Sequence, residues 1–562
     1  MGTRASTRRY LSAFIAPALL VAFALSGLVL TAQAAGPNVL RVGTWKGIPG
    51  KYQTIQAALD AAHPGDWILV APGDYHENPD DENGLLITTP GIHLRGMDRN
   101  SVIVDGTNPG ALPCSANPAD QNLGPLEEGG EPSGRDGIVV FKTSGTYVEN
   151  LTACNFLATG GEHGNQIWWN GGDGSGVIGM DTYWGNYLTA SSTYSNGTDF
   201  PRGEYGIFVS NARGPGSIND SYASNMGDAA FYVGACPDCN AVLNRDHAQN
   251  SALGYSGTNS GGHLIIQNSE FDQNKSGIVS NSQNNDDAPG PQIGLCPAPG
   301  ETGPTGTASC TVYMHNNVHD NNNPNVPGAG SGLAGSAPVG SGIVLAGSEY
   351  ITLYQNQIVH NGSWGILVAD LPDQEEPPPN SNCEGGIYLV PGELCYYQAF
   401  GNEVAGNSFS GNGFFGNPTN GDIGLATQVH APGNCFHDNT DPDGLTSDPP
   451  NIQSPPYNPC GQPNGGDIGP LTAEALCATE LVAPCPNLPE ASYPRPTDVV
   501  LSAIPALQGM PNPCSGVPAN PWCPKRSAQT SALGPAGGTT APGSALPAEG
   551  FLATAPGRFS AV

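Results

Sequence analysis

The chain has 562 residues and a formal net charge of −31, with only 12% charged residues set against 78 glycines and 53 prolines. That composition starves long helices and favours short strands joined by turns. The acidity argues against nucleic acid and anionic lipid as partners, and between Lys275 and Arg495 there is no Lys or Arg at all.

Residues 1–34 carry a basic head, an apolar run and a small-residue ending at Ala34, the form of an export signal cleaved near that residue. The chain is therefore expected to be secreted or held at the cell surface. A membrane contact would arise only if this segment stayed uncleaved as an anchor, because no later stretch is apolar enough to span a bilayer.

Residues 52–77, "YQTIQAALDAAHPGDWILVAPGDYHE", predict a helix capped by Thr54, with Ile55, Ala58, Leu59 and Ala62 on one face. Pro64-Gly65 ends it, "WILVA" reads as a buried strand, and "LLITTPGIHLRGM" and "SVIVDG" add further strands broken at Pro90-Gly91 and Asp105-Gly106. The stretch "TIQAALDAAHPGDWILVAPGDYHE … IHLRGMDRNSVIVDG" resembles the N-terminal cap and first coils of the right-handed parallel β-helix proteins, the pectin lyase-like superfamily. The resemblance implies a fold and no single activity, since that superfamily hosts lyases, hydrolases, epimerases, phage adhesins and non-enzymatic surface proteins.

The residues beyond supply an independent test through an internal repeat. A small residue followed by an apolar one recurs at Gly206-Ile207, Ala230-Phe231, Gly254-Tyr255 and Gly277-Ile278, then at Gly342-Ile343 and Gly365-Ile366. A second column runs through Asn219, Asn244 and Asn268. Two columns sharing one period mean stacked coils about 4.8 Å apart, with a lone apolar residue of each strand pointing inward and corner Asn amides bonding coil to coil. The expected fold is all-β: a single-stranded right-handed parallel β-helix (solenoid) with an N-terminal helical cap and a disordered C-terminal tail. Its parts are the signal 1–34, cap and first coils 35–136, repeats 137–439, a Pro- and Cys-rich segment 440–525 and a flexible tail 526–562.

Fourteen cysteines in an exported chain point to disulfides. Nearness in sequence pairs Cys236 with Cys239, Cys296 with Cys310, Cys383 with Cys395, Cys477 with Cys485 and Cys514 with Cys523, while Cys114–Cys154 closes a longer loop.

Aligning coils on the Asn column superposes "NRDHAQN" (244–250), "NSEFDQN" (268–274) and "NNVHDNN" (316–322). This alignment sets Asp246 beside Glu270, and Asp272 in one column with Asp320, with His360 a coil further on. It puts His247 and His319 in the inward column with Phe271 and Val359. Asp246, His247, Glu270, Asp272, His319 and Asp320 are thus the candidate catalytic set, paired carboxylates and imidazoles suited to general acid–base work on a glycoside. The competing reading makes both histidines interior residues and Asp246 a turn cap.

The family's own signatures fail residue by residue. "NTD" at 439–441 matches the start of the polygalacturonase signature without its later residues, and "VHDN" (318–321) lacks the leading Asp and the Pro of the alginate epimerase pattern. Trp168, Trp169, Tyr183 and Trp184 are candidate carbohydrate-binding aromatics, and the adjacent tryptophans on a strand must face opposite ways. Asn439, Asp441 and Asp443 match the first half of a calcium loop, making Ca²⁺ the candidate metal, although Pro450 stands where the closing Glu belongs.

Together these features predict an exported protein that binds a polysaccharide, with cleavage or modification of it as the enzymatic form of the same reading. The alternative is a non-catalytic surface, adhesion or structural display protein. A periplasmic metal-delivery factor of this fold is disfavoured by the few methionines and the paired cysteines.

Overall fold

The computed structural model describes residues 36–525 apart from 161–162, 198, 284–295, 329–336, 374–382, 384, 391–393 and 480–490. The predicted signal, the predicted tail and Cys485 lie outside the described residues.

Each coil contributes one short strand to each of three parallel sheets. Sheet one has twelve strands, from Val39–Val42 to Cys435–His437; sheet two has ten, from Gly73–Tyr75 to Ser408–Ser410; sheet three has eleven, from Asn83–Ile87 to Ser447–Asp448. Every neighbouring pair within these sheets is parallel and joined through a whole coil, and the molecule is a right-handed parallel β-helix. Thr54 caps the helix Ile55–Asp60, and Ile55, Ala58 and Leu59 are buried against the first strands.

The apolar column expected from the repeat is the inner face of sheet three. Ile207, Phe231, Tyr255, Ile278, Ile343, Ile366 and Ile423 pair in register and are buried. Each such side chain stabilises the stack by about 1.5–3 kcal/mol. In sheet two the strands are three residues long apart from Val102–Asp105, and from His247 onward only the middle residue points inward: Ala248, Phe271, Val318, Ile358 and Phe409.

The register corrects the sequence alignment by one residue. His247 pairs with Glu270 and Asp272 with His319, rather than Asp246 with Glu270 and Asp272 with Asp320. Asn244 closes its strand whereas Asn268 opens the following turn, so aligning the two asparagines slides the coils past each other. A one-residue slip exchanges the two faces of a strand. His247 and His319 are accordingly on the outer face, not in the inward column.

Corner asparagines stack as expected, though in columns other than the one predicted. Between sheets one and two, the backbone N–H of Ser269 donates to Asn316, that of Asn316 to Asn356, that of Asn356 to Asn407 and that of Asn407 to Asn439, at 2.9–3.0 Å. A second ladder, Asn274–Asn321–Asn361–Asn412, lines the corner between sheets two and three. Each carboxamide satisfies a corner N–H that the strands leave unpaired. Asn268 and Asn244 also bond each other, at 2.9 Å on the outside of the coil.

The segment 491–525 makes no new coil. It runs back towards the first coils, its backbone held by body asparagines. Asn417 exchanges two hydrogen bonds with Ser492, Asn225 three with Ser502 and Asn100 two with Leu507. Trp522 ends the run by donating to the Ile48 carbonyl, beside Trp67. The described disulfides include the predicted Cys114–Cys154, Cys236–Cys239, Cys296–Cys310, Cys383–Cys395 and Cys514–Cys523, and also Cys435–Cys460, which nearness in sequence did not give.

Candidate functional site

The outer positions of sheet two carry a continuous row of imidazoles and carboxylates. The Tyr222 hydroxyl donates to Gln249, the Gln249 amide donates to Asp272 at 2.9 Å, and His247 Nε2 lies 2.6 Å from the other Asp272 oxygen. In the next coils, His319 Nε2 is 3.1 Å from Glu270 Oε1 and its Nδ1 is 2.9 Å from Asp320 Oδ2. Asp320 in turn bonds His360 Nδ1, and the His360 ring stacks on Phe414 with centroids 4.5 Å apart.

The backbone explains this aim. Asp320 and His360 occupy the same corner of consecutive coils with φ of 53° and 56°, the left-handed conformation that Asp tolerates and that turns both side chains along the corner. His319 lies between two carboxylates, which accept hydrogen bonds when ionised, so this placement favours the imidazolium, with a proton on each nitrogen. Burial alone would lower its pKa, but the bonds to Asp320 and Glu270 raise it. Partial burial would raise the Asp320 carboxyl, and its histidine partners hold it below the usual carboxylate range instead. Glu270, Asp320 and His360 are open to solvent, while Asp272 is 7% exposed and anchors the row. Phe414, 48% exposed, closes the row with an apolar face.

Asp246 is not part of it. Its side chain is buried and accepts from the backbone N–H of Ser221 at 2.9 Å and of Asn244 at 3.1 Å, occupying an asparagine's place in the first corner ladder. Burial raises its pKa well above the ordinary value. The turn-cap reading of Asp246 therefore holds.

The four aromatic candidates are dispersed. Trp169 and Tyr183 are fully buried in the interior, facing each other at 6.1 Å, and offer no surface. Trp168 lies outside sheet three, stacked on Phe208. Trp184 lies outside sheet one, at the end of a stack running Trp67, His93, Tyr147, Trp184 with rings 4.0–4.2 Å apart. The two tryptophans do face opposite ways, as predicted, but the four do not form one platform.

The calcium loop is not assembled. The Asn439 oxygen accepts from both the N–H and the side-chain amide of Asn407, so the ladder consumes the ligand atom. Asp441 caps its own turn by accepting from the N–H of Asp443.

Sequence reasoning missed three partners of the row, Tyr222, Gln249 and Phe414. The doublet Phe414-Phe415 in a glycine-rich turn was the available signal for the last. It also missed Glu403, a buried carboxylate bonded to Thr305, Thr307 and His437 beside Cys435 and Cys460, whose sulfurs are spent on their disulfide.

No family model matches the chain, and no curated protein does. Among solved structures it is similar to the mannuronan C-5 epimerase AlgE4 A-module of Azotobacter vinelandii, at 13% identity over 69% of this chain and 90% of that one with a TM-score of 0.38. It is similar to the Dettilon tailspike protein at 12% identity, covering 72% and 58% with a TM-score of 0.36. The alginate lyase of Paenibacillus sp. str. FPU-7 follows at 11% identity, covering 66% and 95% with a TM-score of 0.30. These scores are low, and no site or activity is carried over from any of the three.

Proposed function

We propose that the chain is an exported polysaccharide-binding protein whose binding face is the outer surface of sheet two, from His247 to Phe414. The observation that carries this reading is the row itself: solvent-open carboxylates and imidazoles repeat along the solenoid axis and end at an exposed aromatic ring. Sugar hydroxyls both donate and accept, so they suit alternating acceptors and donors, and a ring face suits an exposed Phe. Coils about 4.8 Å apart present this pattern at roughly one step per sugar ring, which favours a polymer lying along the axis. The disulfides support export into an oxidising compartment.

The row also supports an enzymatic form of the same reading, favoured by the placement of His319. An imidazole protonated on both nitrogens between two carboxylates is equipped to deliver a proton to a leaving oxygen, with Asp272 and His247 as the neighbouring acid–base pair. A neutral or amine-bearing glycan fits the face better than a polyuronate, because no Lys or Arg lies between 275 and 495 to receive carboxylates.

The test is a glycan array on the intact chain, with reducing-sugar and unsaturated-product assays on the same glycans. Binding that falls at least tenfold in Phe414→Ala and in Glu270→Gln supports the binding face, and turnover lost in His319→Gln establishes the enzymatic form. Silence on every glycan overturns the proposal and leaves a display protein.

A further inference from the structure

A second cluster lies at the other end of sheet two, in the first coils, and takes no part in the row. Asp74 is on the strand Gly73–Tyr75 and Asp105 ends the neighbouring strand Val102–Asp105. The register pairs Tyr75 with Val104, which brings His76 and Asp105 to the next step of the same ladder. One ligand atom from each of Asp74, His76 and Asp105 lies within 4.8 Å of the others.

Three features distinguish this cluster from an ordinary acidic turn. First, His76 Nδ1 is 2.8 Å from the Thr107 carbonyl oxygen, which can only accept, so the proton sits on Nδ1 and Nε2 is directed at the carboxylates. A backbone carbonyl orienting the far nitrogen is how a metal-binding imidazole is generally held. Second, Asp74 Oδ1 is sealed from solvent and meets no hydrogen-bond donor, while Oδ2 lies 3.1 Å from His76 Nε2. Third, Asp105 is fully buried, each of its oxygens fixed by one amide, from Thr107 at 2.8 Å and from Cys114 at 2.6 Å. Among the described residues neither carboxylate forms an ion pair with Lys or Arg, so two acids share one imidazole, with Asp105 buried and the Asp74 and His76 side chains only 24% and 13% exposed.

We propose that Asp74, His76 and Asp105 bind one divalent cation of zinc type at the N-terminal end of sheet two. One imidazole and two carboxylates supply three ligands of the kind zinc takes, leaving a fourth position for water. Calcium is disfavoured, because it wants six to eight oxygens and no imidazole. The ion ties the two strands together beside Cys114–Cys154, where the chain leaves the coils for the loop that returns at the strand Asp136–Phe141. Its role is to lock the first coils rather than to act on a substrate.

The test uses the full chain without an affinity tag, stripped with a chelator and titrated with zinc chloride, with calcium chloride as comparator. Expected are one equivalent of zinc, a tetrahedral absorption spectrum with cobalt(II) as surrogate, and a zinc-dependent rise in melting temperature. His76→Gln and Asp74→Asn each lower zinc affinity at least tenfold and abolish that rise, with the β-sheet circular dichroism spectrum unchanged. His319→Gln, which alters the other cluster, leaves zinc binding as it was. The proposal is overturned if no zinc equivalent binds, or if binding survives both His76→Gln and Asp74→Asn.

Discussion

His319 Nε2 stands 3.1 Å from Glu270 Oε1 across neighbouring coils, so a proton is held between an imidazole and a carboxylate on the outer face of the solenoid. This contact recurs in kind down the C-terminal half, where His360 meets Asp320, His430 meets Asp370 and His437 meets Glu403. With no Lys or Arg from 276 to 494, histidines are the side chains that carboxylates there have as basic partners.

A pH dependence follows, with a definite sign. The folded-state pKa values of His319 and His437 are raised, each against the opposing effect of burial, by their carboxylate partners. Their contribution to stability is complete below the unfolded value of about 6.5 and is lost as pH rises through the folded value. Melting temperature should fall between pH 6 and 8.5 by about 1–2 °C for His319, whose partners Glu270 and Asp320 are open to solvent, and by more for His437, whose partner Glu403 is buried. Scanning calorimetry of wild type and a His319→Gln, His437→Gln double variant checks this; the variant should show the shallower slope.

Asp246 gives the opposite kind of test. Its carboxyl is buried in an asparagine's place and its pKa is raised by that burial, so folding favours the protonated form, and stability falls as pH rises above the unfolded value of about 3.9. Asp246→Asn should be more stable than wild type at pH 7 by about 1 kcal/mol or more, with the difference vanishing near pH 4. Urea midpoints at the two pH values measure it, and glycan binding should be retained.

The interior ladder should be far more sensitive than the exterior asparagines. Asn356 is buried, accepts from the N–H of Asn316 and donates to the Tyr313 carbonyl at 2.9 Å. Asn356→Ala leaves these groups unpaired and should cost about 2–4 kcal/mol, whereas Asn268→Ala, on the outer surface, should cost below about 1 kcal/mol. Chemical denaturation of the two variants side by side compares them.

The returning segment is held by backbone hydrogen bonds from single asparagines. An Asn225→Ala, Asn100→Ala double variant should therefore be cut between residues 500 and 510 at least tenfold faster by a broad-specificity protease. Mass spectrometry of the early fragments tests this, and a cleavage rate equal to wild type would show that these clamps are dispensable.

The sequence made the coil legible because one apolar residue per strand at a constant period leaves few other ways to bury it. The Ile207–Phe231–Tyr255–Ile278 column was correct residue by residue. What the period could not supply was the boundary between strand and turn. Asn244 and Asn268 look equivalent as letters, yet one ends a strand and the other begins a corner, and that single step reversed which histidines face outward. The sequence alignment thus named residues that the structure brings together, but in another register, and it grouped with them Asp246, which the structure buries at a corner. The path of 491–525 was illegible for a different reason: its partners lie up to 474 positions away, and a backbone gripped by asparagine side chains leaves no pattern in its own residues.

The most direct test of the binding face is hydrogen–deuterium exchange of the chain with and without a saturating oligosaccharide chosen from the glycan array. Protection concentrated on Glu270–Asp272, Asn317–His319, Gln357–Val359 and the turn around Phe414 is the predicted result. Protection confined to sheet one or sheet three, around Trp184 or Trp168, would contradict it.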